Sequence, residues 1–323
     1  MDKIGDLIST DTLLRRRYFV IRRLDQGSYG QVFVGRKVCD TEHMVAVKAE
    51  KRFRKLTDTD PRRMIIEQKV LILLRGKPHI PVIYASGKTK TKRPYIVMSL
   101  LGPSLWDVQL EQPNKHFSLR TTIRVSQQIL CGLQYLHEVG YIHRDMKTGN
   151  SCVGRKDPQN VYIVDFGMCR RFVLFNGQKR PPRKQTVIRC TYRYASIRMH
   201  ERKESGPADD IESWLYAMVE MHKGKLPWKS LDDCDQIYKM KKETNVTDLT
   251  AGMPDPFLKS WYYVSQLKWD DTPDYDHIHL LWRSCLKSLD EYKKKLDWEL
   301  TGGFGDKKKI ATPIKKKTIF EII

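Results

Sequence analysis

The chain has 323 residues, of which 40 % are hydrophobic and 30 % charged, and its formal net charge is +21. That length allows one large domain or two modest ones with a real core, and the apolar content excludes wholesale disorder. The charge predicts attraction to something acidic: phosphorylated protein, acidic peptide, nucleic acid or an anionic membrane face.

The opening Met1-Asp2-Lys3-Ile4-Gly5-Asp6-Leu7 carries acids where a secretory leader would carry bases, and it lacks the Met-Gly start of a myristoylation site. The longest apolar runs, such as Tyr95-Ile96-Val97-Met98, are strand-sized and fall far short of the ~20 residues that span a bilayer. Seven cysteines (Cys39, Cys131, Cys152, Cys169, Cys190, Cys234, Cys285) are scattered, with no C-x-x-C pair. They read as reduced thiols of an intracellular protein, with neither a disulfide framework nor a zinc site.

From Tyr18 to about Met98 short β-type runs follow one another: Tyr18-Phe19-Val20-Ile21, Gln31-Val32-Phe33-Val34, Val45-Ala46-Val47-Lys48 and Tyr95-Ile96-Val97-Met98. Turn residues separate them, as a small antiparallel sheet requires. Gly27-Ser28-Tyr29-Gly30-Gln31-Val32 joins the first two runs, and glycines there would let a hairpin backbone approach phosphate oxygens. By itself such a hairpin is more often only a turn. Lys48 ends the third run, where an ammonium could neutralise phosphates or simply pair with a structural acid. One helix is predicted over 62–75, with Met64, Ile65, Leu71 and Leu74 as its apolar face. Glu67 on that helix is the natural partner for Lys48.

After Gly102-Pro103 the pattern turns helical, with predicted helices over 120–137, 209–222 and 277–298. The expected fold is therefore α+β and two-lobed: a small antiparallel sheet with one main helix, a larger helical lobe, and a ligand cleft between them. Residues 301–323 carry Lys307-Lys308-Lys309 and Lys315-Lys316-Lys317 and read as a basic, weakly ordered tail.

His143-Arg144-Asp145-Met146-Lys147-Thr148-Gly149-Asn150 follows the 120–137 helix and Tyr141-Ile142, as a loop leaving a packed element. A base (Asp145), a cation (Lys147) and a metal ligand (Asn150) on one short loop suffice for phosphoryl transfer, which needs positioning and charge neutralisation more than covalent chemistry. Ile163-Val164-Asp165-Phe166-Gly167 then puts a carboxylate directly after an apolar strand, where Asp165 could hold Mg²⁺. In this order, with a lysine strand upstream, the pieces match the signature set of protein kinases.

From about Tyr18 to Trp298 the chain resembles the casein kinase 1 family. Leu100-Leu101-Gly102-Pro103-Ser104-Leu105 looks like that family's hinge; Tyr194-Ala195-Ser196-Ile197-Arg198 stands where most kinases have Ala-Pro-Glu; Asp209-Asp210-Ile211-Glu212-Ser213 looks like the start of its large buried helix, with Asp210 bracing the catalytic loop. Within the family, Arg180-Pro181-Pro182-Arg183, Tyr192-Arg193-Tyr194-Ala195-Ser196 and Lys225-Leu226-Pro227-Trp228 are similar to the tau-tubulin kinase branch.

The resemblance implies an extension over 1–17, a kinase domain over 18–300 (small lobe 18–98, hinge 99–103, large lobe 104–300) and a tail over 301–323. It implies ATP and Mg²⁺, serine or threonine acceptors, and a monomeric cytoplasmic protein with the nucleus as a second compartment. Nucleotide contacts then fall to Gly27, Gly30, Val32, Ala46, Lys48, Glu67, Met98 and Leu100, metal contacts to Asn150 and Asp165, catalysis to Asp145 and Lys147. Acidic or phospho-primed substrates would meet a basic pocket at Arg193 and Lys239. Four positions depart from the family: Asp25 at the first glycine of the nucleotide loop, Thr148 for proline, Cys190 for glycine and Arg198 for asparagine. A carboxylate near phosphates is unfavourable, so a pseudokinase scaffold is the chief rival. Specific nucleic-acid binding is not expected, because no zinc spacing, RNP-like strand or helix-turn-helix pattern accompanies the charge.

Overall fold

The computed structural model describes residues 5–27, 30–51, 63–286 and 294–301. Six antiparallel strands form the sheet of the small lobe, in the order β1-β2-β3-β4-β6-β5. They are β1 (Leu13–Leu14), β2 (Tyr18–Gln26), β3 (Gly30–Lys37), β4 (Asp40–Glu50), β5 (Ile83–Lys88) and β6 (Pro94–Ser99), with helix α1 (Arg63–Leu73) between β4 and β5. Residue alternation gives the sheet two faces. On β4, Val45, Val47 and Ala49 point outward, where Leu7, Ile8 and Leu14 cover them together with Val20 and Phe33. Ala46 points the other way and joins the main core beside Met98 and Met64, Val70, Leu71 and Leu74 of the α1 region.

The segment preceding β2 is thus part of the small lobe's core, each buried aliphatic side chain contributing roughly 1.5–3 kcal/mol. It also grips the glycine hairpin: the Leu7 amide donates to Gln31 Oε1 at 2.6 Å and Gln31 Nε2 donates to the Gly5 carbonyl at 3.3 Å. Gly30 is demanded by the sheet itself, since a Cβ there would lie 2.3 Å from the Ala49 carbonyl oxygen.

The large lobe is built on α3 (Leu119–Glu138) and α5 (Pro207–Lys223), preceded by α2 (Leu105–Glu111) and surrounded by α4 (Ile197–His200), α6 (Cys234–Glu243), α7 (Val246–Leu249), α8 (Asp255–Gln266) and α9 (Tyr275–Ser284). Serines start three of them: Ser104 forms a reciprocal cap with Asp107, Ser118 accepts from the Thr121 amide and Ser196 from the Met199 amide. Helix α5 begins with Pro207 at its first turn and stops at Gly224, whose φ of 80° needs no Cβ. Two short ribbons, β7 (Tyr141–Ile142) with β10 (Arg170–Arg171) and β8 (Ser151–Val153) with β9 (Val161–Ile163), carry the loops that face the small lobe.

The expected helix over 277–298 divides. Helix α9 ends at Ser284, residues 287–293 lie outside the described part, and Asp297–Leu300 forms a separate turn capped back onto Leu296. On α1, Ile65 is 50 % exposed and Val70 fills the core position instead. Strand β5 and helices α6 and α8 have no counterpart in the sequence reading, although α8 buries Phe257, Trp261 and Val264 at helical spacing. The basic tail lies outside the described residues, apart from Thr301.

Candidate active site

Three ionisable side chains from three elements meet under the sheet. Lys48 leaves β4 toward the cleft because it shares the face of Ala46, and its Nζ lies 2.7 Å from Glu67 Oε2 on α1 and 2.8 Å from Asp165 Oδ1 after β9. Burial disfavours the charged ammonium, but the Asp165 and Glu67 carboxylates outweigh it and raise the Lys48 pKa. Burial likewise works against the Asp165 carboxylate, yet Lys48 draws its pKa down to about 2, so it stays ionised. Glu67 is pushed up by burial and by the Asp165 charge, with Lys48 opposing: two carboxylates share one ammonium. Asp165 sits in the left-handed region at φ 63°, a strained turn costing about 1–2 kcal/mol that aims its carboxylate into the cleft while Phe166 is fully buried against His143.

The loop over 143–150 is held from below. Asp210, fully buried at the start of α5, accepts from the His143 amide at 2.6 Å, the Arg144 amide at 2.7 Å and His137 Nε2 at 2.9 Å. Burial would raise its pKa, but the His137 bond and the neighbouring histidines hold it below the usual range. These bonds offset the positive φ of 70° at Arg144. The His137 Nδ1 is bound in turn to the Tyr275 hydroxyl at 2.6 Å. Above this brace, Asn150 Nδ2 donates to the Asp145 carbonyl at 2.8 Å and to its Oδ2 at 2.9 Å. The Thr191 amide and hydroxyl both donate to Asp145 Oδ1 at 2.9 Å, and Lys147 Nζ reaches Asp145 Oδ2 at 3.1 Å and Thr191 Oγ1 at 2.6 Å. Asp145, Lys147, Asn150 and Asp165 therefore occupy one cleft with Lys48 and Glu67.

Around them the structure brings together most of the other sequence-chosen residues. Strand register sets Val32 opposite Lys48 and Ala46 opposite Met98; Val32, Ala46, Met98 and Leu100 all border the same apolar core. Gly27 and Gly30 close the hairpin with a 2.9 Å backbone bond, and residues 28 and 29 lie outside the described part. Asp25 faces Val32 across the strands; its Oδ2 is buried with no hydrogen-bond partner among the described residues. Burial raises the Asp25 pKa, the Gln26 amide opposes, and the Asp107 carboxylate adds to the rise. Arg193 and Lys239 are not brought together. Arg193 turns inward to Glu220 at 3.4 Å and the Lys229 carbonyl at 3.3 Å, whereas Lys239 stands 77 % exposed on α6 beside Glu243. Thr191, His137 and Tyr275 were missed as supporting residues: a lone threonine, histidine or tyrosine carries no signal of which carboxylate it will meet.

A hard cation suits the donors present. Asp165 is ionised with one oxygen turned from Lys48, and Asn150 spends its amino group on Asp145, leaving its carbonyl oxygen to coordinate. No cluster of three or more acidic, cysteine or histidine ligands exists among the described residues, so a metal here would need phosphate oxygens to complete its shell.

Among the described residues no helix is long and apolar enough to cross a membrane. The protein kinase domain family matches residues 18–289. A protein of Dictyostelium discoideum named a probable serine/threonine-protein kinase is 34 % identical over 308 residues, 94 % of this chain and 60 % of its own length. Casein kinase I homolog 1 of Schizosaccharomyces pombe is 32 % identical over 294 residues, 88 % of this chain and 64 % of its own, so the chain spans less than two thirds of both. Serine/threonine-protein kinase spe-6 of Caenorhabditis elegans is 30 % identical over 296 residues, 88 % of this chain and 76 % of its own. The matched span takes in strands β2 to β6 of the sheet, the ion trio and the braced loop alike, and the chain belongs to the protein kinase family.

Proposed function

We propose that this chain is a working serine/threonine kinase that transfers the γ-phosphate of Mg²⁺-bound ATP to hydroxyls in acidic or already phosphorylated proteins. The observation that carries the reading is the shared cleft: Lys48 held between Glu67 and Asp165, with Asp145 held by Asn150, Lys147 and Thr191 a few residues away. Asp145 orients the acceptor hydroxyl and takes its proton as the bond to phosphorus forms. Lys147 offsets charge on the transferring group, and Lys48 offsets it on the α and β phosphates. Asp165 and Asn150 would hold the metal, which when bound neutralises the phosphate oxygens and aligns them.

The substrate preference rests on charge. Beside the loop, Arg170 and Arg183 both bind the Glu204 carboxylate, and half-buried Arg144 is crowded by the same two arginines. Two carboxylates, Glu204 and Asp210, against three guanidiniums leave an excess that an acidic or phosphorylated side chain would satisfy. The inward turn of Arg193 moves this role away from Arg193 and Lys239. A tau-tubulin kinase-like branch, a monomer, and a cytoplasmic or nuclear setting remain part of this reading on motif similarity. The rival pseudokinase has one feature in its favour, the Asp25 carboxylate at the nucleotide hairpin. Purified protein with Mg²⁺ and labelled ATP should phosphorylate acidic serine peptides, and phospho-primed ones faster. No incorporation across such a peptide library, in protein that binds nucleotide, would leave the scaffold reading.

A further inference from the structure

Two residues beyond exposed Lys239, helix α6 turns a different lysine inward. Lys241 is 5 % exposed, and its Nζ donates to the carbonyls of Ala195 at 2.6 Å and Tyr192 at 3.1 Å. Its ammonium stands 4.3 Å from the Tyr216 ring centre and 5.1 Å from that of Trp228, an arrangement that favours a cation. Trp228 completes the grip: its Nε1 donates to the Arg193 carbonyl at 2.8 Å. Three carbonyls in a stretch of four residues are thereby tied to the helical lobe. That stretch begins next to Thr191, whose amide and hydroxyl bind Asp145.

We infer that Lys241 is a positioning residue that fixes the 191–195 segment as the seat for the substrate peptide beside Asp145. This inference rests on the kinase reading for its substrate, but the contacts themselves do not depend on turnover. A plain structural lysine would need neither two backbone carbonyls of the substrate-facing segment nor an aromatic cradle. Burial lowers the Lys241 pKa to about 7 and raises that of its α5 neighbour Glu212 to about 7, with Lys241 opposing the latter. Glu212 holds the chain two residues past the segment, accepting from the Ile197 amide at 2.9 Å and the Tyr216 hydroxyl at 3.1 Å. The other ionisable groups around Lys241 are Cys190 just before the segment, Cys234 on α6 and His200 on α4, with Asp209 acting on Glu212. Loss of the Lys241 proton above neutrality removes the attraction to both rings and weakens the hold.

The test is the dissociation constant of a fluorescent acidic serine peptide, read by anisotropy, beside that of a nucleotide analogue, in wild type and Lys241→Met. The methionine keeps the stem and removes the charge. The expected result is about tenfold weaker peptide binding with nucleotide binding within twofold, and wild-type peptide affinity that falls between pH 6.5 and 8.5 while the variant stays flat. Equal loss for both ligands, no loss for the peptide, or a wild type that binds no peptide would overturn the inference. If the variant does not fold, the wild-type pH series decides: a flat profile refutes it. Turnover measured in parallel reports separately on the kinase reading, since weakened peptide binding without turnover keeps Lys241 and discards catalysis.

Discussion

The two sides of the cleft are built to different standards. On the large-lobe side, the Asp210 carboxylate has three donors and Asp145 is held by Asn150, Thr191 and Lys147. On the small-lobe side, the glycine hairpin carries a carboxylate oxygen, Asp25 Oδ2, with no partner among the described residues, and it is steadied from outside by Leu7 and Gly5 through Gln31. A buried polar group without a partner costs about 1–3 kcal/mol, whereas a satisfied network rigidifies what it holds. On the proposed kinase reading, the difference assigns chemistry to the lower wall and leaves nucleotide affinity as the adjustable quantity.

The sharpest way to break this contrast is Asp145→Asn, which should lower peptide phosphorylation by about a thousandfold or more and leave nucleotide binding unchanged. Next, Asp210→Asn keeps one acceptor but turns an amino group toward the loop amides. It should reduce kcat about a hundredfold and destabilise the fold by about 2–4 kcal/mol in denaturant titration. Gln31→Ala should raise the KM for ATP about threefold with kcat intact, because the outer strap then loses its grip on the hairpin. Asp25→Gly should move the KM for ATP the opposite way by a similar factor.

The smallest effect is on stability. A raised pKa means that folded Asp25 binds its proton more tightly than the unfolded chain, so this contribution is full at low pH and lost as pH rises through the shifted titration. Melting curves of wild type and Asp25→Asn should coincide near pH 4 and separate by about 1 °C at neutrality, the variant higher, solvent screening keeping the gap small.

Sequence reading reached the lower wall more fully than the upper one, for a physical reason. Asp145, Lys147 and Asn150 lie on one loop, so their chemistry is visible in eight consecutive letters. Lys48, Glu67 and Asp165 are far apart in the chain, but each follows an apolar run or lies on a periodic helix that fixes its direction. Residue roles created only by packing were invisible. Gln31 reads as one polar residue of a strand until Leu7 and Gly5 close over it. Lys241 sits in Lys239-Met240-Lys241-Lys242, where nothing local says which lysine the helix will bury. Arg193 illustrates the converse: a motif position pointed to a substrate phosphate, and Glu220 claims its guanidinium in the fold.

The most direct test measures, in one preparation each of wild type and Asp25→Gly, the affinity for Mg²⁺-ATP analogue and the single-turnover rate of peptide phosphorylation at saturating ATP. A complete lower wall under a compromised hairpin predicts tighter nucleotide binding in the variant and the same rate in both. A wild-type rate at background, or a variant that turns over faster without binding tighter, would contradict it.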